Sequence, residues 1–187
     1  IKVSQTKDGM LSNEEFNITN DLFSIYFVGN LQFNENKKLI GVSGRYIYNI
    51  KSDSRIPKWK HIGEKSRWQY PLFFNEAFIK EESSAIMVES IGDMLSLWQA
   101  GHKNVLVTFG LDVSFALVNA LIKYDVDSIV LAFNNDKNLA GNEACKKAYK
   151  KLLKFFDREQ LLIHLPSKND FGEMTKGEIT EWAKKIK

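Results

Sequence analysis

Acidic side chains follow the short apolar segments in the second half of this sequence at comparable positions. Glu89 directly follows AIMV at residues 85–88, and Asp93 comes about one helical turn later. Beyond the apolar segments that end near residues 108, 133 and 165, the corresponding polar residues are Asp112, then Asn134 with Asp136, then Asp170 with Glu173. Crowded carboxylates repel one another, and a hard divalent cation with oxygen ligands relieves that repulsion. If the fold gathers these residues, the pattern predicts a Mg²⁺ site suited to phosphoryl transfer.

A purely structural explanation competes with this hypothesis. Asp and Asn also favour turns and helix caps at the ends of strands, so capping explains any single member of the set equally well. The coincidence of the whole set, rather than any one residue, favours a site.

The elements that must position these residues are predicted by the apolar pattern. Apolar segments at 85–88, 104–108, 128–133 and 161–165 alternate with helical patterns at 93–100, 114–124 and 142–156, and a last helix follows a capping box at Thr175 and Glu178. Continuous apolar strands that alternate with helices predict an α/β fold, a parallel sheet with helices on both faces. In such sheets ligands bind beyond the carboxyl ends of the strands, where the acidic residues stand.

The first 84 residues show a different pattern. They are richer in Asn, Ser and charge, with β-like segments at 23–28, 39–42 and 45–50 and no helical pattern. We expect a smaller, mixed and β-rich subdomain at 1–80, with a basic loop at 51–68, before the α/β domain at 81–187.

Composition narrows the classes of function. The net charge is only +3, so any nucleic-acid site must be a local basic surface, as residues 51–68 suggest. One cysteine excludes internal disulfides, the three histidines show no zinc-ligand spacing, and no apolar run is long enough for a membrane span. We therefore expect a cytoplasmic protein. The first residue is Ile, which suggests a piece of a longer chain.

Three motifs carry a resemblance to a known family. MVESIGDMLSLWQAGHKNVLVTFG, LAFNNDKNLAGNEA and LPSKNDFGEM resemble, in order and spacing, the TOPRIM domain of primases. In that family one strand ends in Glu-Gly-x-x-Asp, a later one ends in Asp-x-Asp with a following Ala-Gly, and a downstream loop carries another acid. KKLIGVSGRYIY and IPKWKHIGEKSRW are similar to the strand and basic loop before TOPRIM in bacterial and phage primases, so the resemblance covers about 37–175.

The resemblance implies a TOPRIM Rossmann-like sheet and metal-dependent synthesis of RNA primers on single-stranded DNA. Glu89 and Asp136 match the catalytic positions. The positions that match metal ligands for Mg²⁺ or Mn²⁺ are Glu89, Asp93, Asn134, Asp136 and Asp170. Arg45 and Lys58 match basic residues that hold template or nucleotide.

The basic segment suggests further contacts with nucleic acid. We expect Lys60, Arg67 and Lys65 to hold template or triphosphate by charge. Trp59 and Trp68 are either stacking surfaces for bases or anchors of the loop. The implied partners are a single-stranded DNA template, nucleoside triphosphates and a replicative helicase.

Two departures from the family pattern matter. Ser90 replaces the usual Gly, which is harmless if its φ is not positive. Asn134 replaces an Asp, and its uncharged amide should weaken Mg²⁺ binding. Two alternatives to a primase core therefore stay open: a catalytically weak TOPRIM module that binds single-stranded DNA or helicase, and a TOPRIM nuclease or topoisomerase fragment.

Overall fold

The computed structural model describes residues 27–33, 38–46, 59–136 and 140–186, with backbone alone for 27–33 and Tyr46. Contacts group the chain into two compact units, Ile1–Trp68 and Gln69–Lys187. The sequence pattern predicts a boundary near residue 80, whereas the contacts divide the chain after Trp68. A helix described below accounts for most of the difference. Lys58 lies outside the described residues, as do most of the strand expected at 23–28 and the end of that expected at 45–50.

The first unit contains an antiparallel sheet of β1 (Phe27–Phe33), β2 (Leu39–Tyr46) and β3 (Trp59–Gly63) in that order. The expected segments at 39–42 and 45–50 prove to be one strand as far as Tyr46, because the intervening Ser43 and Gly44 continue the ladder with β1 and β3. The basic loop expected at 51–68 is wrong at residues 59–63, which pair with 41–45 of β2. All five side chains of this strand are half-buried, so no alternation of burial marks it as a strand, and its pairing with β2 identifies it instead.

The second unit contains a parallel sheet, and this confirms the predicted fold class. Its strands are β4 (Ser84–Val88), β5 (Val105–Val107), β6 (Ser128–Leu131) and β7 (Leu161–Ile163), in the order β5-β4-β6-β7. Every pairing is parallel, with Ile86 aligned with Val105 on one side and Val130 on the other. The carboxyl ends of the strands therefore share one edge of the sheet.

Helices connect these strands. They are α1 (Leu72–Glu82), α2 (Ile91–Gln99), α3 (Phe115–Lys123), α4 (Ala140–Leu152) and α5 (Lys176–Ala183). Hydroxyl caps start three of them: Ser90 accepts from the Asp93 N–H, Ser114 from the Leu117 N–H, and Thr175 from the Glu178 N–H. The capping box that the sequence predicted at Thr175 is confirmed.

The expectation of no helix before residue 84 is wrong, because α1 occupies Leu72–Glu82. This helix buries only Leu72, Asn75 and Ile79, and it exposes Phe73 and Phe74. Its apolar residues therefore do not form the stripe by which an amphipathic helix is recognised. Tertiary contacts stabilise it instead: the buried Asn75 side chain donates to the Val105 carbonyl oxygen of β5.

The two faces of the sheet bury alternate residues of each strand. Ala85 and Met87 of β4, with Ile129 and Leu131 of β6, belong to a core cluster that includes side chains of α1, α3 and α4. Ile86 and Val88 are buried on the opposite face. The helix α2 contacts β5, α5 and the turn at Phe171–Glu173. Across the described ranges, none of these helices has both the length and the apolar composition needed to cross a bilayer.

Candidate active site

Polar residues collect where the central strands β4 and β6 end. Val88 ends β4 and is followed by Glu89 and Ser90, while the chain beyond Leu131 of β6 continues through Ala132 and Phe133 to Asn134. The Ala132 N–H donates to the Met87 carbonyl oxygen at 3.0 Å, so the two strands stay side by side to their ends. The residues after them therefore share the carboxyl edge of the sheet.

Glu89 is joined directly to the segment after β6. Its Oε1 accepts a hydrogen bond from the backbone N–H of Asn134 at 2.9 Å, across 45 positions of sequence. Glu89 is partly buried, and so are Asn134 and Asp136. The two predicted catalytic segments are thus brought together through the Asn134 backbone rather than its amide side chain.

Asp136 caps the start of α4. Its Oδ1 accepts from the backbone N–H of Ala140 at 2.9 Å. One residue later Gly141 lies so close to the preceding loop that a Cβ there would stand 1.8 Å from the Asn134 carbonyl oxygen. Only glycine permits this approach, so Gly141 sets the position of α4 relative to Asn134.

Asp93 fastens α2 to the last acidic loop. It is only 3% exposed, its Oδ2 accepts from the Ser90 hydroxyl at 2.6 Å, and its Oδ1 accepts from the Phe171 N–H at 3.1 Å. Ser90 has a φ of −130°, so the condition under which Ser is harmless in place of Gly is met. Because both carboxylate oxygens of Asp93 already accept hydrogen bonds, its geometry suits a positioning role.

Asp170 stands at the start of the turn Phe171–Glu173, where its Oδ1 accepts from the Glu173 N–H at 2.9 Å. This loop meets the loop after β6, since the Asn135 N–H donates to the Asn169 carbonyl oxygen at 2.8 Å. The Asn135 side chain also donates to the Pro166 carbonyl oxygen at 3.1 Å. The predicted residues after β4, β6 and β7 thus belong to one connected set of loops.

The carboxylates influence one another electrostatically. Burial raises the pKa of Glu89, and the charges of Asp93 and Asp136 raise it further, against the opposing effect of the Asn134 N–H. Burial likewise raises the pKa of Asp93, with a further contribution from the charge of Asp170. We call Glu89, Asp93, Asp136 and Asp170 the carboxylate cluster. A cation placed among these four would relieve both the burial and the repulsion.

The cluster has carboxylate oxygens that suit Mg²⁺ or Mn²⁺, but one oxygen of each of the four side chains accepts a hydrogen bond from a backbone N–H. Within the part of the chain that the structure describes, no three His, Cys, Asp or Glu side chains form a ready-made metal site. Asp112, after β5, does not join the cluster but pairs with Lys151 at 3.3 Å. The ligand set predicted from the sequence therefore stays a prediction.

In the first unit, Arg45 and Trp59 pair across β2 and β3, with the Arg45 Cζ 5.3 Å from the centre of the Trp59 ring. The Trp59 ring is parallel to that of His61, with centroids 6.2 Å apart. Arg45 is exposed and Trp59 partly exposed, which leaves them available to a ligand. Lys60 follows on the opposite face of β3, because successive residues of a strand alternate.

Two other residues of the basic segment contact the protein itself. Trp68 is 1% exposed and packs where a Cβ on Gly41 would meet its ring, so it is an anchor and the stacking alternative for it is wrong. Arg67 is exposed in a short 3₁₀ turn, with a weak ion pair to Glu64 at 3.9 Å.

Three further residues, two beside the carboxylate cluster and one beside Trp59 in the first unit, were missed or undervalued from the sequence. Ser90 holds Asp93, Gly141 admits the close approach of α4, and His61 extends the ring surface beside Trp59 while bonding to the Ser43 hydroxyl at 2.7 Å. The Ser-x-x-Asp spacing is a capping signal, and it could have identified the role of Ser90. The Ala-Gly of the family motif marks Gly141, but nothing local in the sequence shows that this glycine admits the close approach of α4.

Comparisons with known proteins agree with this architecture. A family model described as Toprim-like matches residues 86–175. A DNA primase of Aquifex aeolicus (strain VF5) is 32% identical over 140 residues, which cover 74% of this chain and 27% of that protein.

Solved structures show the same fold. The zinc-binding and RNA polymerase domains of the Aquifex aeolicus primase superpose with a TM-score of 0.70 and 22% identity, covering all of this chain and 44% of that one. A DnaG primase catalytic domain bound to single-stranded DNA superposes with a TM-score of 0.68 and 18% identity, covering 86% of this chain and 51% of that one. The chain thus spans about a quarter of the curated relative and about half of these solved chains.

Proposed function

We propose that the protein synthesises RNA primers on single-stranded DNA. Residues 86–175 match the Toprim-like family model, and the chain has the fold of primase catalytic cores. The reaction is a nucleotidyl transfer, in which a 3′-hydroxyl attacks the α-phosphate of a nucleoside triphosphate and pyrophosphate leaves. The observation that carries the proposal is the hydrogen bond from the Asn134 N–H to Glu89, which places the two acidic motifs at one sheet edge.

We assign the metal-binding role chiefly to Glu89 and Asp136, with Asp170 in support. Bound Mg²⁺ or Mn²⁺ would supply charge neutralisation at the phosphates and a lower pKa for the attacking hydroxyl. Asn134 can offer an amide oxygen without charge, so the affinity of the set should be lower than with an Asp there.

The remaining residues of the site orient these ligands. Asp93 and Ser90 hold the end of β4, the start of α2 and the loop at Phe171 in a fixed relation through three hydrogen bonds. Gly141 keeps α4 against the Asn134 carbonyl oxygen, so that Asp136 meets the Ala140 N–H. A metal ligand is useful only if such neighbours hold it in place.

The nucleic-acid role belongs to the first unit in this proposal. Arg45 and Lys60 would neutralise phosphates, and the exposed part of the Trp59 ring would stack on a base. Arg67 and Lys58 are further phosphate contacts predicted from the sequence. Nucleoside triphosphates and a replicative helicase are the other partners we expect, in the cytoplasm.

Primer synthesis on single-stranded DNA with Mn²⁺ or Mg²⁺ tests the proposal. The variant Asp136→Asn keeps an oxygen for the Ala140 N–H and removes the charge, so folding should persist while activity falls about 100-fold or more. Asp112→Asn, which removes an exposed carboxylate outside the cluster, is the matched control and should retain activity.

A second measurement tests metal binding directly, and it does not require that this chain alone synthesises primers. Calorimetry or electron paramagnetic resonance measures Mn²⁺ binding, which should weaken in Asp136→Asn and stay unchanged in Asp112→Asn. Equal activity and equal Mn²⁺ affinity in both variants would refute the assignment of Asp136.

Asn134 favours a second candidate, a module that binds single-stranded DNA without making bonds. The variant Asn134→Asp discriminates the two functions. In a catalytic site, the added charge should tighten Mn²⁺ binding and raise or preserve primer synthesis. In a binding module, wild type and variant would both bind DNA and make no primer.

A further inference from the structure

The outward face of α4 is strongly basic. The helix buries a stripe of small and apolar residues: Gly141, Ala144, Cys145, Ala148 and Leu152. Opposite this stripe lie Lys146, Lys147 and Lys150, and Lys154 follows in the exposed turn just beyond the end of the helix. Between Ala140 and Leu152 the helix has a single acidic residue, Glu143.

Three of these lysines keep their ammonium groups available. Lys146 pairs with Glu143 at 2.8 Å, and the pKa of Glu143 is lowered by the hydrogen bond and charge of Lys146 and by the charge of Lys150. Over residues 27–33, 38–46, 59–136 and 140–186, Lys147, Lys150 and Lys154 form no side-chain hydrogen bond or ion pair. We call these three the lysine track.

The spacing of the track suits a nucleic-acid backbone. Residues three and four apart on a helix lie about 5–6 Å apart. This is comparable to the separation of successive phosphates along a strand, which is up to about twice the 3.4 Å base step. A polyanion can therefore pair with Lys147 and Lys150 in turn, and Lys154 adds a third positive charge in the turn that follows the helix.

Exposed aromatic rings stand at the end of this track. Phe115 is 63% exposed and Phe155 is 44% exposed, and their rings meet edge to face with centroids 6.3 Å apart. Lys151 braces the pair, since its Nζ lies 4.7 Å from the Phe115 ring centre and bonds to Asp112 and the Val113 carbonyl oxygen. A basic surface that only keeps the protein soluble does not explain solvent-exposed aromatic rings beside it. Unpaired nucleic-acid bases, by contrast, stack on such rings.

The helix that carries the track starts at the carboxylate cluster. The first residue of α4, Ala140, donates to Asp136, and the 13 residues of the helix extend for about 20 Å from that point. A strand held at the cluster can therefore continue along the lysines to the aromatic pair.

We propose that the lysine track and the Phe115–Phe155 pair form a binding surface for single-stranded nucleic acid, which guides the strand away from the carboxylate cluster. The guiding role rests on the proposed function, but binding itself does not. The surface belongs to the second unit and is separate from the contacts assigned to Arg45, Trp59 and Lys60.

Salt-dependent binding of a fluorescent oligo-dT to the whole chain tests this surface. Lys150→Gln/Lys154→Gln should weaken binding about tenfold at low salt and lower the slope of log affinity against log salt by up to about 1.4, at about 0.7 per phosphate contact. The matched control, Lys176→Gln/Lys185→Gln, removes the same charge from exposed positions of the α5 region and should change both quantities much less.

A variant without a charge change completes the test. Phe115→Ala should weaken binding about fivefold or more and leave the salt slope unchanged, because stacking involves no counterions. The proposal is overturned if the α4 pair behaves like the α5 pair, or if Phe115→Ala binds as tightly as wild type.

The proposed function is tested separately by Arg45→Gln/Lys60→Gln. If that pair weakens binding and the α4 variants do not, the α4 surface fails and the primase proposal stands. If the α4 variants weaken binding and Asp136→Asn keeps full activity, the surface stands and the catalytic assignment fails.

Discussion

Replacing Gly141 by Ala should separate α4 from the carboxylate cluster. The new Cβ would lie 1.8 Å from the carbonyl oxygen of Asn134 and 2.7 Å from its carbonyl carbon. Contacts under 3.0 Å are essentially never seen for real Cβ atoms, so the helix or the loop must move by about 1.2 Å. Both neighbours are backbone atoms, and therefore no rotation of a side chain can absorb the clash.

The expected cost follows from two opposing effects. Overpacking a close contact costs about 1–3 kcal/mol, and occasionally more. Alanine recovers up to about 1 kcal/mol of helix propensity relative to glycine. We expect a net loss of about 1–2 kcal/mol, which for a chain of this size lowers the melting temperature by about 2–8 °C.

Gly177 provides the matched control. A Cβ at this position in α5 would find its nearest atom, the Thr175 hydroxyl oxygen, at 4.0 Å. Gly177→Ala should therefore leave stability unchanged or raise it by a few tenths of a kcal/mol. Thermal unfolding by circular dichroism measures both variants, and Mn²⁺ titration should show weakened binding in Gly141→Ala alone. The close approach of α4 to Asn134 would be refuted if both variants melted at or above the temperature of the wild type.

Two further predictions concern the acids of the cluster. Asp93→Ala leaves the buried N–H of Phe171 and the hydroxyl of Ser90 without their acceptor, so it should cost about 2–4 kcal/mol in urea unfolding, and a cost below 1 kcal/mol would contradict the fastening role. Glu89 has a raised pKa in the folded chain, so the folded state binds more protons than the unfolded state. The contribution of Glu89 to the free energy of unfolding is therefore lost as the pH rises above the ordinary pKa of 4.5. Glu89→Gln should therefore flatten the fall in melting temperature above that pH, while an unchanged slope would show that Glu89 is not desolvated.

Much of the fold follows from local pattern. Apolar runs such as Ile129–Phe133 are continuous because strands of a covered parallel sheet are buried on both faces, and this property is visible in the sequence itself. The capping box at Thr175 and Glu178 is equally local, since both partners lie within one turn. The helix α1 was missed because burial of Asn75, not an apolar stripe, ties it to β5.

The acidic motifs could be predicted because each follows a strand, and the carboxyl ends of parallel strands lie at one edge of the sheet. What each acid does there depends on partners far away in the chain. The carboxylate oxygens of Asp93 accept hydrogen bonds from Ser90 and from Phe171, which lies 78 positions away. A carboxylate oxygen of Glu89 accepts one from the backbone N–H of Asn134. Sequence spacing cannot distinguish a carboxylate that faces a ligand from one that holds a loop.

The amino-acid sequence by itself determined the alternation of strands and helices and the delivery of acids to a common edge, because periodicity and chain order are local properties. Only the tertiary structure decided that Trp68 is buried, that Gly141 touches the Asn134 backbone and that the exposed rings of Phe115 and Phe155 pair beside Lys151. Those features depend on distances between segments remote in sequence, and such distances are set when the whole core packs.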